Sequence, residues 1–558
     1  MNEVMLCTTN DLSENQLRPD FQNHYQTVIS RFFNRDPEIW PVYQSQDIHN
    51  LIHHKESFSG SQQHYFHHQL KHRTDIPHNM CTDQRPFDPL ALFVAHGCKD
   101  WQDPKAVENV ISTPCDPAIQ GATLATITNP NLVYKEYAGL ATDLEQLVVR
   151  QIAQLAGYDP SQAGGLFTQG GTFCNLYGYL LGLRKTFPDS IVNGLQNKQL
   201  CMLNSESGHY SNMTNLTLLG LDMNHQVIRV HINEQNQICI NDLRRRLEEC
   251  YKQGIQVPTI MLTFGTTDTF AIDDIKQVCQ LRDDVCRKYQ ITRKPHIHVD
   301  AAVGWSLLFF RHYDLNENPL SINQATLNSL NALKPLTEGI RYADSFTVDF
   351  QKWGYVPYTA SLLMIKNKQD MEALKQDASY FTYFEHEVQK KTHLQSTIEC
   401  SRGATGVFAA YSALQHMGIE GYQTIIAHGL QNANYMRAKL NEHPRCKVVC
   451  AENHGPSVVF RLYPEQALQN DDSTHLFRSE QHITEGHQSM DDLIQTTLYH
   501  RNHFNRRKGC YLKTNWVESI ARTSYDKNDH CLYLPGEKAV FLNPYTSRAD
   551  IDKFCAQF

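Results

Sequence analysis

The chain runs to 558 residues, 41% of them hydrophobic and 20% charged, with a formal net charge of −8; that suits one large folded domain with smaller ones beside it. The acidic balance, with Arg244-Arg245-Arg246 as an isolated triplet before Leu247-Glu248-Glu249, argues against a nucleic-acid partner. No apolar run approaches the roughly 18 to 20 residues of a membrane helix, the longest being Val303 to Phe310, and Met1-Asn2-Glu3-Val4-Met5 does not begin a signal peptide.

Residues 1–125 are expected to form an N-terminal segment that wraps a partner subunit. His49, His53, His54, His64, His67, His68 and His72 fall close together there, but no His-Glu-x-x-His motif accompanies them, so a solvated helical arm is preferred to a metal site. From Pro86 to Gly139, closely spaced Pro, Asn and Gly indicate loops. A helix follows: Thr142 and Glu145 have capping-box spacing, Leu144, Leu147, Val148, Ile152 and Leu155 share a face, and Gly157 closes it. The next stretch, Gly164 to Asn175, imitates a nucleotide P-loop between Gly165 and Thr172, with Gly171 where the lysine should stand. Without that lysine a triphosphate site is a weak reading. A turn of Gly170, Gly171 and Thr172 opening a helix is still an anion cradle, through bare N–H groups, the Thr172 hydroxyl and the helix dipole; the alternative is a plain tight turn.

Strand and helix patterns then alternate. Leu200 to Leu203, Val227 to Val230, Ile260 to Phe264, and His296 to Val299 ending at Asp300 read as strands; Asn241 to Lys252 and Asp273 to Tyr289 read as helices. Such alternation predicts an α/β fold with a mostly parallel sheet, whose ligands gather at the carboxyl ends of the strands. Thr266, Asp300 and Lys352 all fall at such ends. The large domain is expected over 126–400 and a small C-terminal α/β domain over 401–558, with strands near Val458 to Leu462 and Ala539 to Leu542. A helix over Ala404 to Met417 is expected to break at Gly418 and Gly421, and the polar stretch Ala467 to Met490 reads as a loop. Sixteen cysteines without a Cys-x-x-Cys pair read as reduced thiols, so a cytoplasmic location is expected.

Lys352 stands where the β-rich run Ser345 to Val348 gives way to a turn marked by Gly354 and Pro357, and Trp353 and Tyr355 flank it. A lysine walled in this way is either a surface residue at a loop start or a desolvated amine, lowered in pKa and nucleophilic toward aldehydes.

Four pieces stand in order: Gly170-Gly171-Thr172; Ser207-Gly208-His209-Tyr210-Ser211; His298-Val299-Asp300-Ala301-Ala302; and Ala343-Asp344-Ser345 followed by Lys352. Together they resemble the group II pyridoxal-phosphate-dependent decarboxylases, the family of the glutamate, aromatic amino acid and aspartate decarboxylases, over roughly residues 85 to 420. The resemblance implies a fold type I homodimer that removes CO2 from an L-amino acid, through a Lys352 aldimine and a quinonoid, to give an amine. It implies pyridoxal 5′-phosphate contacts from Gly170, Gly171, Thr172, His209, Thr266, Asp300, Ala302, Gln351 and Lys352. Asp300 would keep the pyridine nitrogen protonated and His209 would stack on the ring. Arg402 would clamp the substrate carboxylate, unless it is a structural pair with an acidic residue. Tyr380 or Tyr383, in the aromatic loop Ser379 to Phe384, would return a proton to the carbanion, unless both are packing aromatics.

The chain departs from the family at several points. Gln351 replaces the usual His before the lysine and cannot shuttle a proton at neutral pH. Asn212, Met213 and Thr214 follow the His-Tyr-Ser stretch where a lysine is common, and Phe270 stands where a glycine is common. The span from Asp300 to Lys352 is long for the family, so an insertion is expected. These changes leave the electron sink intact and open the outcome. A carbon–carbon lyase or aminotransferase would use the same cofactor chemistry, and a non-catalytic binding protein would use none of it.

Overall fold

The computed structural model describes residues 19–44, 68, 98–377, 380, 394–468, 472–481, 487–506, 511–522 and 533–558. Seven strands form the principal sheet: β1 (Gly164–Thr168), β2 (Met202–Ser205), β3 (Val227–Val230), β4 (Thr259–Thr263), β5 (His296–Asp300), β6 (Ser345–Asp349) and β7 (Ser361–Ile365). Their spatial order is β1-β7-β6-β5-β4-β2-β3. β7 alone is reversed, antiparallel to both β1 and β6, while the rest pair in parallel. β1, β4, β5, β6 and β7 are buried at every residue, as strands covered on both faces must be.

The helices that matter for the site are α1 (Pro19–Phe32), α2 (Asp116–Thr128), α3 (Ala141–Ala156), α4 (Gly171–Thr186), α5 (Ser211–Leu218), α6 (Gln324–Glu338) and α7 (Thr405–Glu442). α4 lies across β5 and β6. Along β5 the period-two alternation sends Ile297 and Val299 into the main apolar core, leaving His296, His298 and Asp300 on the opposite face, toward α4. A Cβ on Gly178 of α4 would overlap the His298 imidazole, so the missing side chain sets how closely helix and sheet approach.

A second sheet, β8 (Cys446–Val449), β9 (Ser457–Leu462), β10 (Asn515–Arg522) and β11 (Tyr533–Val540), is antiparallel in the order β10-β11-β9-β8. Val458, Phe460, Phe541 and Phe554 belong to its own apolar cluster. α7 joins the two sheets. It leaves helical geometry at Gly418 (φ 60°), as expected, but continues through Gly421. α1 packs on α7 of its own chain: Tyr25 stacks on His428 at 4.2 Å and its hydroxyl donates to the Pro544 carbonyl. Of the clustered N-terminal histidines, all but His68 lie outside the described residues.

Three expectations need correction. The P-loop-like stretch opens as a strand: Gly164 to Thr168 of β1 pair along β7 over its whole length. Thr142 and Glu145 form no capping box: α3 has no side-chain cap, the Thr142 hydroxyl donates to the Gly139 carbonyl, and Glu145 is drawn inward. The polar stretch Ala467 to Met490 contains a helix, Ser473–Gln481, which buries Phe477 and places Glu480 on Arg461. The span between Asp300 and Lys352 holds α6, started by the Asn323 side chain accepting from the Thr326 N–H.

Candidate active site

Because β2, β4, β5 and β6 run the same way, their carboxyl ends share one edge of the sheet, where an open α/β sheet takes its ligand. β6 ends at Asp349, and the Lys352 N–H donates to the Asp349 carbonyl at 3.1 Å, closing a turn that sets Lys352 beside the strand end. Trp353 and Tyr355 are fully buried behind it. The Lys352 side chain is 16% exposed, and its Nζ lies 3.0 Å from Asp349 Oδ2. Burial alone would lower its pKa, as the sequence suggests. Asp349 and then Asp300 outweigh burial, and the ammonium is held above its ordinary range.

Asp349 is braced from behind. The Ser361 hydroxyl donates to Asp349 Oδ1 at 2.6 Å, Gln351 Nε2 donates to Ser361 Oγ at 2.9 Å, and Gln351 Oε1 accepts from the Ala360 N–H at 2.9 Å. Gln351 therefore ties β6 to β7 and supports the carboxylate that meets Lys352. Sequence patterning offers no signal for this, because the links depend on which strands pair.

Asp300 ends β5. Its Oδ2 accepts from Asn175 Nδ2 at 2.9 Å and its Oδ1 from the Ala302 N–H at 3.2 Å. Asn175 also donates to Asn212 Oδ1 at 3.3 Å. Asn212, one of the residues that stand in place of a common lysine, is thus part of the site. His209 follows β2. Its Nδ1 accepts from the Ser211 N–H and lies 2.7 Å from the Ser211 hydroxyl, which leaves the ring proton on Nε2. Burial lowers its pKa against the pull of Asp300, so it is neutral at pH 7; Lys352, Asp349 and Asp268 also act on it. Lys352, Asp300 and His209 thus belong to one electrostatic cluster.

The cradle lies at the end of β1. Gly170 has φ 101°, α4 starts at Gly171 without a side-chain cap, and the Thr172 carbonyl accepts from Asn215 Nδ2 at 2.9 Å. A Cβ on Gly171 would stand 2.7 Å from Asp349 Oδ1, so only glycine lets the helix start come this close to β6. A cavity of about 290 Å³ opens beside it, lined among others by Thr168, Gln169, Tyr358 and Thr359. Tyr358 is half-exposed and its hydroxyl is pushed up in pKa by burial, with Lys352 lowering it and Asp349 raising it.

Other expected residues are placed differently. Thr266 shapes its own turn, its hydroxyl accepting from the Ala271 N–H at 2.9 Å. Phe270, in that turn, keeps a glycine-like φ of 56° and sets its ring edge-on to Trp353. Arg402, which also lines the cavity beside the cradle, is engaged by the protein: Nη1 lies 2.6 Å from Glu145 Oε1 and 2.9 Å from the Phe167 carbonyl, and Nη2 lies 3.2 Å from Glu145 Oε2. It is the structural pair that the sequence left as the alternative, buried between α3, β1 and the start of α7. Tyr380 is 74% exposed, outside the buried cluster, and Tyr383 lies outside the described residues. From the small sheet, Lys538 reaches Asp268 Oδ1 at 2.7 Å, a buried cation that the sequence did not single out.

A buried lysine and a buried carboxylate at the ends of adjacent parallel strands, facing a glycine cradle, make this a fold type I pyridoxal-phosphate scaffold. The chain belongs to the family of the pyridoxal-dependent decarboxylase conserved domain, whose model it matches over residues 68–463. It is 25% identical over 351 residues to L-2,4-diaminobutyrate decarboxylase of Rhizobium meliloti (strain 1021), covering 63% of this chain and 62% of that protein's length. Mouse CSAD, solved in apo form, is similar with a TM-score of 0.68 at 17% identity, over 96% of this chain and 97% of that one. Oryza sativa TDC with PLP and tryptamine is similar with a TM-score of 0.66 at 15% identity, over 96% of each chain.

The cofactor is pyridoxal 5′-phosphate, and the residues fit it. An uncapped helix start with no room for a side chain at Gly171 suits a phosphate. Asp300 suits a ring N–H and Lys352 an aldehyde. Asn212 Nδ2 and Thr263 Oγ1 are buried without a protein partner, so the site has polar capacity left over.

Proposed function

We propose that the protein is an amino acid decarboxylase that converts an L-amino acid to an amine and CO2. The observation that carries this is the placement of Lys352 and Asp300 at the ends of β6 and β5, within one charge cluster that includes His209. Bound through Lys352, pyridoxal 5′-phosphate supplies the sink for the electron pair left when the carboxylate departs. Asp300 holds the proton at the ring nitrogen. Lys352 must lose a proton from Nζ before it can attack, and Asp349 Oδ2 at 3.0 Å opposes that loss by stabilising the ammonium. Neutral His209 offers a flat face and an Nε2–H donor. Arg402, engaged by Glu145, and Lys538, engaged by Asp268, are two buried cations that a substrate carboxylate would have to share with those partners.

The likeness to a diaminobutyrate decarboxylase supports placing diamino acids first among substrates. A cytoplasmic homodimer is also proposed. The free thiols of the described cysteines suit a reducing compartment. Exposed Leu124, Ile127, Tyr137 and Leu140, close in sequence, suit a covered surface. No described helix is long and apolar enough to cross a membrane.

Measuring CO2 release across the proteinogenic amino acids, ornithine and 2,4-diaminobutyrate tests the reading. One or a few should release CO2 with the native protein and none with Lys352→Ala. Stoichiometric keto acid without CO2 would replace the decarboxylase by an aminotransferase. Undiminished CO2 release from Lys352→Ala would remove Lys352 from the chemistry.

A further inference from the structure

Asp300 is the last of three same-face residues on β5, and the other two are histidines. On β6, Ser345 pairs with His298 and Thr347 with Asp300. Asn175 of α4 lies above them. All five supporting side chains are buried, and their hydrogen bonds form one continuous path.

The path has a direction. Lys185 Nζ, an ammonium that also meets Asp370 at 2.6 Å, lies 3.5 Å from His296 Nδ1. An ammonium can only donate, so Nδ1 accepts and the His296 proton sits on Nε2. That nitrogen is 2.7 Å from Ser345 Oγ and donates to it. The Ser345 proton then points to His298 Nδ1, also at 2.7 Å. His298 must therefore carry its proton on Nε2, which donates to Asn175 Oδ1 at 3.2 Å and to Thr347 Oγ1 at 3.0 Å. The Thr347 hydroxyl donates to the same Asn175 oxygen at 2.7 Å. With its oxygen so occupied, the Asn175 amide can present only its NH₂ to Asp300 Oδ2, at 2.9 Å. Reversal at any link would set two donors or two acceptors face to face. At the last link it would place an amide oxygen against a carboxylate.

We propose that His296, Ser345, His298 and Asn175 are positioning residues for Asp300: a one-way hydrogen-bond path across the sheet that keeps a donor on Oδ2 and fixes the carboxylate for the cofactor's ring nitrogen. This rests on the role given to Asp300 above. One donor on each carboxylate oxygen, Asn175 on Oδ2 and Ala302 on Oδ1, holds the group while leaving lone pairs for the ring N–H. Gly178 supports the assignment independently, because the helix gives up a side chain where His298 needs room.

The test uses full-length protein loaded with pyridoxal phosphate labelled with ¹⁵N in the ring. Cofactor affinity is read by equilibrium dialysis and ring protonation from the ¹⁵N resonance. Ser345→Ala removes one oxygen and should weaken cofactor binding about three- to tenfold, the size of one hydrogen bond, while moving the resonance toward neutral pyridine. His296→Leu, two links further from Asp300, should act in the same direction, and His296→Gln, which keeps a side-chain donor, should restore most of the loss. Native affinity and a native resonance in folded Ser345→Ala would overturn the proposal, whether or not His296→Leu folds. Asp300→Asn separates the two levels. If it too keeps the protonated resonance, the role of Asp300 is wrong; if it loses that resonance while Ser345→Ala does not, only the positioning path fails.

Discussion

Lys352 shows how two opposing effects are decided by what stands next to an amine. Burial favours the neutral form, and a reading from sequence stops there. Asp349 at 3.0 Å and the more distant Asp300 favour the cation and prevail. A lysine raised in pKa is reactive only as pH climbs toward that value, so Asp349→Asn, which removes the main raising charge, should move the midpoint of aldehyde capture to lower pH. Stopped-flow absorbance of the apoprotein mixed with pyridoxal phosphate across pH measures it; an upward or unchanged midpoint would show that Asp349 does not set the charge of Lys352. At this scale the positions of the candidate residues were legible. Lys352, Asp300 and His209 sit just past β-rich runs, where chemistry in a parallel sheet gathers. Asn175, Ser361 and Asp349 were not legible as site residues, since each acts through a partner fixed only by helix docking or strand register.

Among the elements, the junction of α3, β1 and α7 is the clearest case of a polar residue read for function and found to serve structure. Glu145 receives both terminal nitrogens of Arg402 and the Phe167 N–H, tying the three elements together away from water. Removing one partner leaves a buried charge without compensation. Glu145→Gln should therefore cost about 3–5 kcal/mol of stability, measured by urea unfolding, with KM for substrate unchanged in the folded fraction. If Arg402 instead gripped substrate, KM would rise and stability would stay. The same junction explains why β1 escaped the sequence reading. Its glycines read in sequence with the P-loop-like stretch that follows, and only the β7 ladder beside it, itself the reversed strand, makes it a strand. The capping-box pattern at Thr142 and Glu145 misled for the opposite reason: a local signal lost to a distant guanidinium.

Over the whole molecule, the sheet alternation was readable, because periodicity follows burial. The four-stranded order of the second sheet was not, since its outer strands join through register alone. The fold also buries histidines as neutral rings. His296 and His428 are lowered to about 4, and His298 and His500 well below their ordinary value, in each case chiefly by burial. A folded pKa below the unfolded one means full stability above about 6.5, then loss as pH falls, because the unfolded chain takes up protons that the fold refuses. Each such histidine contributes a slope of roughly 1 kcal/mol per pH unit between its two pKa values. The thermal midpoint should fall steeply from pH 7 to pH 5, and more shallowly in His428→Gln. A flat midpoint over that range would mean these rings accept protons in place.

Lys352 is expected to carry the cofactor through one covalent link, and that link can be read directly. Reduction of the cofactor-loaded protein with borohydride, followed by proteolysis and mass spectrometry, should find a pyridoxyl group on the peptide that carries Lys352 and on no other lysine peptide. Its appearance on a different lysine, or its absence from a protein that still releases CO2, would contradict the assignment of the site.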